Sequence, residues 1–264
     1  MNERMVPVAK RRWGRILLAM ILSFIILGFL YTPYDPAEMK ITSRFQPPSK
    51  IHFFGTDHYG RDVFSRVVVG GRISLIVGIG AVGLGALVGI LMGLLGGFYG
   101  GKLDEISMRI STSLQALPTI LLALLWATIW GPGQRVILWS IAIGNIPIFL
   151  RLTRNQVLNV KVQPYIEASR AMGITDLRLL LVHFLPNIRD PLLVQFSASL
   201  AGAILVEASL SYLGVGIQPP VPSWGGILRE AQSYASVAPW VVVIPGIFIA
   251  LTVIAFNLVG DSWI

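Results

Sequence analysis

YIEASRAMGITDLRLLLVHFLPN, residues 165–187, is a polar, charge-bearing segment set between strongly apolar ones. Pro164, just before it, suits the first turn of a helix, where a missing N–H costs nothing. Helix formers follow from Ile166 to Met172, and Glu167 near the start complements the helix dipole. Gly173 stands where a left-handed C-terminal cap is wanted. Thr175 can then cap a second helix, Asp176 to Phe184, that stops at Pro186. The segment therefore reads as helix, glycine corner, helix: a short, stiff knob between two apolar runs.

Working outward, the chain has 264 residues, no Cys, 54% hydrophobic and 13% charged residues, and a mean hydropathy of +0.71. An ordinary soluble domain carries about a quarter charged residues. A core of this size cannot shelter so much apolar surface, so lipid must cover part of it. Without Cys there is neither a disulfide framework nor a thiolate metal site. The formal charge of +8 sits at the ends of apolar runs, which fits anionic headgroups rather than nucleic acid.

A bilayer core about 30 Å thick needs about 20 apolar residues in a helix. Six segments qualify: about 14–31, 74–98, 115–131, 135–152, 192–216 and 239–259. The expected fold class is therefore all-α, a polytopic membrane protein with six transmembrane helices. Its expected parts are a cytoplasmic N-terminus with the first span (1–31), an external loop (32–73) and a five-helix core (74–264) with a cytoplasmic loop at 153–191. The turn Gly131-Pro132-Gly133-Gln134 predicts a hairpin between spans three and four. The first run is long and lacks a small-x-small cleavage site, so it reads as a retained span rather than a signal peptide.

Arg4, Lys10, Arg11, Arg12 and Arg15 precede span one. Arg151, Arg154, Lys161, Arg170, Arg178 and Arg189 cluster between spans four and five. Both clusters inside give N-in and C-in. The loop 32–73 argues back with Lys40, Arg44, Lys50, Arg61, Arg66 and Arg72, partly balanced by Asp35, Glu38, Asp57 and Asp62.

Glu167-Ala168-Ser169, Gly173 six positions after Glu167, and Leu185-Pro186 resemble the E-A-A…G…L-P signature of permease subunits in ATP-binding-cassette (ABC) importers. Ser169 stands in place of a second Ala, and His183 in place of an apolar residue. The ending His183-x-Leu185-Pro186-Asn187 is typical of the peptide and nickel branch. Gly55-Thr56-Asp57-x-x-Gly60-Arg61-Asp62-x-x-Ser65-Arg66 and Leu213-Gly214-x-Gly216-x-x-Pro219-Pro220-x-Pro222-x-Trp224-Gly225 resemble two further elements of that branch. The resemblance covers about residues 51–261 and points to the second permease of dipeptide and oligopeptide systems, with the type I importer, MetI-like fold.

That resemblance implies partners: a second homologous permease, two ATPase subunits that hold ATP and Mg, an extracytoplasmic solute-binding protein, and the lipid of a bacterial or archaeal plasma membrane. It implies ATPase coupling by Tyr165, Glu167, Ala168, Ser169, Arg170, Gly173, Thr175 and Asp176, and binding-protein docking at Pro219, Pro220, Pro222 and Trp224. The bland reading of that last segment is a re-entrant loop, with Trp224 an interfacial anchor. The chain carries no phosphate-binding G-x-x-x-x-G-K-[ST] motif, so it is expected to be non-catalytic and to bind no cofactor itself. The cargo stays open among dipeptides, oligopeptides and nickel or other chelates.

Other features are read from the residues alone. Gly78-Ile79-Gly80-Ala81-Val82-Gly83 matches G-x-G-x-x-G, but it lies inside an apolar span with no preceding strand and is rejected as a nucleotide site. Ala81, Gly85, Gly89, Gly93 and Gly97 share one helix face and predict a close helix neighbour, sliding or static. Gln115, Asn145, Gln195 and Glu207 are polar positions in or near spans and are candidates for lining a path. Glu207 also admits pairing with a partner subunit or a protonated state. His52, Asp57, His58 and Asp62 match no metal-site spacing, and Asp62 can cap a helix beginning at Val63. Pro118 and Pro147 are expected to kink or break their helices. A secondary transporter would leave the stiff 164–186 segment unexplained, and a membrane enzyme would need a clustered catalytic set that is not evident.

Overall fold

The computed structural model describes residues 8–263; Arg4, one of the residues expected to orient the first span, lies outside them. Among the described residues the chain is helical, with one isolated antiparallel bridge, Thr56 to Asp62. The helices are α1 (Val8–Leu30), α2 (Val63–Tyr99), α3 (Gly101–Gln115), α4 (Thr119–Trp130), α5 (Gln134–Lys161), α6 (Pro164–Ala171), α7 (Asp176–Arg178), α8 (Leu185–Tyr212), α9 (Trp224–Ala231) and α10 (Trp240–Gly260).

Four continuous helical stretches are long and apolar enough to cross a bilayer: Val63–Tyr99, Gln134–Lys161, Asp176–Tyr212 and Trp240–Trp263. The pair α3 and α4 makes a fifth, and α1 carries a shorter apolar stretch, Trp13–Ile26. The architecture is thus compatible with the six spans expected, with differences in detail. α2 begins at Val63, where Asp62 accepts the Ser65 N–H at 2.8 Å, so Val63 to Ile73 belong to the helix and not to the external loop. Span three is bent as expected from Pro118, which cannot continue the helix: α3 and α4 meet at 81° across residues 116–118. Pro147, by contrast, lies within an uninterrupted α5. Its helix is held from outside, since the neighbouring Ile146 carbonyl lies against Gly89 of α2.

The expected stop at Pro186 is also corrected. The chain passes from α7 through a π-helical segment, Leu179–Phe184, directly into α8. Pro186 falls in the first turn of α8, at the change from the wider π spacing, where its missing N–H and its ring are tolerated. Of residues 153–191, expected as a cytoplasmic loop, only 162–175 stand between the two long helical stretches Gln134–Lys161 and Asp176–Tyr212.

The centre of the fold is the seam between α2 and α5. A Cβ at Gly85, Gly89 or Gly93 would stand 2.5–2.6 Å from the carbonyl oxygens of Ala142, Ile146 and Leu150 respectively. Only glycine lets the two backbones approach so closely. Where α2 and α5 end, Arg154 reaches back to Asp104 of α3 with two bonds of 2.5 and 2.6 Å, and Lys161 Nζ donates to the Phe98 carbonyl at the end of α2 (2.7 Å). A cation at that helix terminus is favourable to the dipole.

Candidate functional site

Three regions carry the residues picked from the sequence. The first is α6 and its corner. Pro164 occupies the first turn, as expected. The helix ends in a complete Schellman motif: Gly173 N–H donates to the Arg170 carbonyl at 2.9 Å and Ile174 N–H to the Ser169 carbonyl at 3.3 Å. Gly173 has φ +78°, which L side chains rarely adopt. Thr175 starts the next helix by backbone position, but its side chain makes no capping bond.

Tyr165, Glu167, Ala168, Arg170, Gly173, Thr175 and Asp176 are exposed. Ser169 is not. It is buried and donates its hydroxyl to the Tyr165 carbonyl at 2.8 Å, so the small residue there serves helix packing. Ile166, fully buried, roots α6 in the core. The Arg170 guanidinium lies 5.1 Å from the Phe98 ring centroid, and Phe98 meets Phe184 edge-on at 5.3 Å. α6 is thereby tied both to the end of α2 and to the π turn. Sequence reasoning missed Met172 and Leu177, which are 73% and 68% exposed on either side of the corner. Two large apolar side chains so exposed on a rigid corner mark a contact surface, and their signal was an apolar residue interrupting a polar run.

The second region is a cleft of about 270 Å³ between α4, α5 and α8, lined among others by Thr119, Gly144, Asn145, Gln195, Ser199 and Gly202. Two of the four polar span residues, Asn145 and Gln195, meet here. Asn145 Nδ2 donates to the Ile141 carbonyl at 2.8 Å, and Gln195 Nε2 to the Ser199 hydroxyl at 3.2 Å. These wall groups are amides and hydroxyls without charge. Gln115 is exposed at the end of α3 and is not part of this cleft. Glu207 is fully buried. Its Oε1 accepts the Ser211 hydroxyl at 2.8 Å, with the Ser74 and Ser223 hydroxyls beside it. It is enclosed between α8, α2 and the residue before α9 instead of facing the cleft.

The third region is the cap expected on the external side. Trp224, expected at an exposed interface, is fully buried and donates its indole N–H to the Val67 carbonyl at 2.9 Å. Its bulk fills the space over Gly71 of α2, so it locks α9 to α2 and offers no docking surface. Pro222 is likewise buried, which leaves Pro219, Pro220 and Val221 as the exposed tip, with the Pro219–Pro220 bond cis. Nearby, Arg61 and Arg66 are both buried and converge on two carboxylates. Arg61 Nε lies 2.6 Å from Asp57, Arg66 lies 2.9 Å from Glu230, and Arg61 also pairs with Glu230. His52 Nδ1 lies 2.9 Å from Asp62. His58 stacks on Tyr234 at 4.9 Å, and burial pushes its imidazole below the ordinary pKa, Asp57 opposing. The acidic and histidine residues of the 52–62 turn are thus taken up by a helix cap, ion pairs and a ring stack, and Arg61 binds the turn to α9 through Glu230.

Comparison with known proteins converges on one kind of molecule. The dipeptide transport system permease protein DppC of Alkalihalophilus pseudofirmus is 39% identical over 264 residues, covering 99% of this chain and 87% of that protein. The glutathione transport system permease protein GsiD of Salmonella typhimurium is 45% identical over 250 residues, 94% of this chain and 82% of that protein. Its counterpart from Escherichia coli is 47% identical over 215 residues, 81% and 71% of the two chains. The fold is similar to that in inward-facing structures of the MetNI methionine ABC transporter, with a TM-score of 0.59 over 75% of this chain and 96% of the other at 22% identity. Residues 85–264 match the binding-protein-dependent transport system inner membrane component, and the chain belongs to that family of transporter permeases.

Proposed function

We propose that this chain is one of two permeases in an ATP-driven importer of di- or oligopeptides. It takes up cargo from an external binding protein and is coupled to two ATPase subunits through α6. The single observation that carries the coupling is the protruding helix α6, closed by a Schellman corner at Gly173 and rooted at Ile166. A rigid exposed knob transmits displacement; a floppy loop would absorb it. When the ATPases close, α6 follows, and its contacts at Phe98 and Phe184 pass the motion to α2 and to the 176–212 helix. The wall bearing Asn145 and Gln195 is built from α5, which packs on α2 along the glycine seam, and from α8, part of the 176–212 helix, and would face the second permease across the translocation path.

The peptide assignment rests on relatives whose names specify dipeptide and glutathione transport. An uncharged, largely apolar wall with two amides, Asn145 and Gln195, suits it, because amides can exchange hydrogen bonds with a peptide backbone without discriminating by charge. ATP hydrolysis then belongs to the partner chains, the N-terminus to the cytoplasm, and the exposed tip at Pro219 and Pro220 to the binding protein.

The test is Gly173→Asp in the transporter co-expressed with its partner subunits. ATP-driven peptide uptake should fall more than tenfold while the chain still inserts and accumulates in the membrane. Normal uptake would falsify the coupling assignment. Failure to transport peptide in an otherwise coupled wild-type complex would overturn the cargo alone.

A further inference from the structure

The external segment 47–54, PPSKIHFF, combines burial and exposure in an unusual way for a water-facing loop. His52 and Phe54 point inward. His52 pairs with Asp62, and the Phe54 ring lies 6.4 Å from Phe24 of α1, 5.2 Å from Phe64 of α2 and 6.2 Å from Phe248 of α10. Ile51 and Phe53 are 69% and 54% exposed, the Phe53 ring meeting Phe64 edge-on at 5.5 Å and leaving the rest of its surface free. Tyr34 fixes the backbone here by donating its hydroxyl to the Ile51 carbonyl at 3.2 Å.

The aromatic contacts give the depth of this segment. Phe24 lies about 9 Å below the end of α1 at Leu30, and Phe248 about 12 Å below the start of α10 at Trp240, at 1.5 Å per residue. Both helices are apolar at those levels. The Phe54 ring therefore reaches down between two spans, while the Thr56 carbonyl accepts the indole N–H of Trp240, the first residue of α10, at 3.2 Å, which sets the segment's backbone at the level of the helix ends. The segment also lies on the α1, α2 and α10 side of the fold, whereas the polar cleft opens between α4, α5 and α8. With this end of the helices taken as the outer one, as in the proposed function, Ile51 and Phe53 stand exposed at the level of the helix ends, where a span meets the membrane interface. Lys50, exposed next to them, is placed for a phosphate headgroup.

We propose that residues 47–54 form an anchor in the outer leaflet, with Ile51 and Phe53 among the upper acyl chains and Lys50 at the phospholipid headgroups. The anchor would hold the external cap at a fixed height, since the turn that follows is bound to α9 through Arg61 and Glu230, and α2 through Arg66 to the same carboxylate.

The chain has no Cys, so single labels can be placed without other changes. Ile51→Cys, Phe53→Cys and, at the exposed tip, Val221→Cys would each carry an environment-sensitive nitrobenzoxadiazole label. The full transporter would be reconstituted in vesicles of phosphatidylethanolamine and phosphatidylglycerol with brominated acyl chains. Labels at 51 and 53 should be quenched at least twofold by the brominated lipid and little by aqueous iodide, with the label at 221 showing the reverse. Iodide quenching at 51 and 53 equal to that at 221 would place the segment in water. Protection from both quenchers would mean that another protein chain covers it. Either result overturns the proposal.

Discussion

Glycine governs both the α2–α5 seam and the α6 corner, for opposite reasons. At Gly89, an added Cβ would sit 2.5 Å from the Ile146 carbonyl oxygen and 2.8 Å from the Phe149 Cβ, in a helix of ordinary hand. At Gly173, an added Cβ would meet nothing within 4 Å, and the constraint is φ +78° alone. One glycine is required by its neighbours and the other by its own backbone. The seam is therefore a matter of tertiary packing that fails when volume is added. The corner is a local shape that fails when the left-handed conformation is disfavoured.

The largest effect should come from the seam. Gly89→Val forces backbone against backbone with no flexible side chain to yield, at a cost of about 3 kcal/mol or more. Accumulation of folded chain, read by size-exclusion chromatography in detergent, should collapse. A variant that stays folded would show that the helices have room to separate.

At the corner, the cost of a left-handed conformation is about 1–2 kcal/mol for an ordinary L residue and smaller for Asn, which tolerates it. Gly173→Val should therefore impair uptake more than Gly173→Asn, with folded yield little changed in both. Equal loss in the two would mean that side-chain size, not backbone hand, is what the corner resists.

Next in size are the exposed apolar residues beside that corner. Met172→Ser with Leu177→Ser should weaken association with the ATPase subunits about tenfold, as measured by co-purification against added detergent-solubilised ATPase. The thermal midpoint of the isolated permease should hardly move, because both side chains are mostly exposed. A large drop in that midpoint would show that they stabilise the permease itself.

The smallest effect belongs to the ion pair that braces the seam where α2 and α5 end. Asp104 and Arg154 are about a fifth to a quarter exposed, so solvent screens their bidentate contact. A double-mutant cycle with Asp104→Asn and Arg154→Gln should give a coupling of about 1 kcal/mol. A coupling near zero would leave the glycine seam to hold α5 without that brace.

Local signals were legible where local chemistry was sufficient. Pro164 opens α6, Gly173 closes it, Asp62 caps α2, and the row Ala81 to Gly97 announces a close neighbour; each depends on a few adjacent backbone groups or on helical period. Readings failed where a distant element intervened. Pro186 looked like a stop because the π turn before it cannot be read from residue types. Trp224 looked like an interfacial anchor because its pocket over Gly71 lies about 150 positions away in the chain. Glu207 looked like a path residue because the hydroxyls of Ser74 and Ser223, on two other elements, surround it only after folding.

The sequence by itself determined that this is a helical membrane protein with a stiff polar knob before its last two spans. Hydrophobic length, helix punctuation and charge placement are properties of contiguous residues, and they survive without knowledge of the partners across the fold. Only the tertiary structure decided that α2 packs on α5 through glycine. It also decided that Asn145 and Gln195 share one cleft while Glu207 is enclosed elsewhere, and that the 52–62 turn is bound to α9. Those outcomes depend on which helix faces come together, and an apolar span looks the same to lipid, to a neighbouring helix and to a partner until the packing distinguishes them.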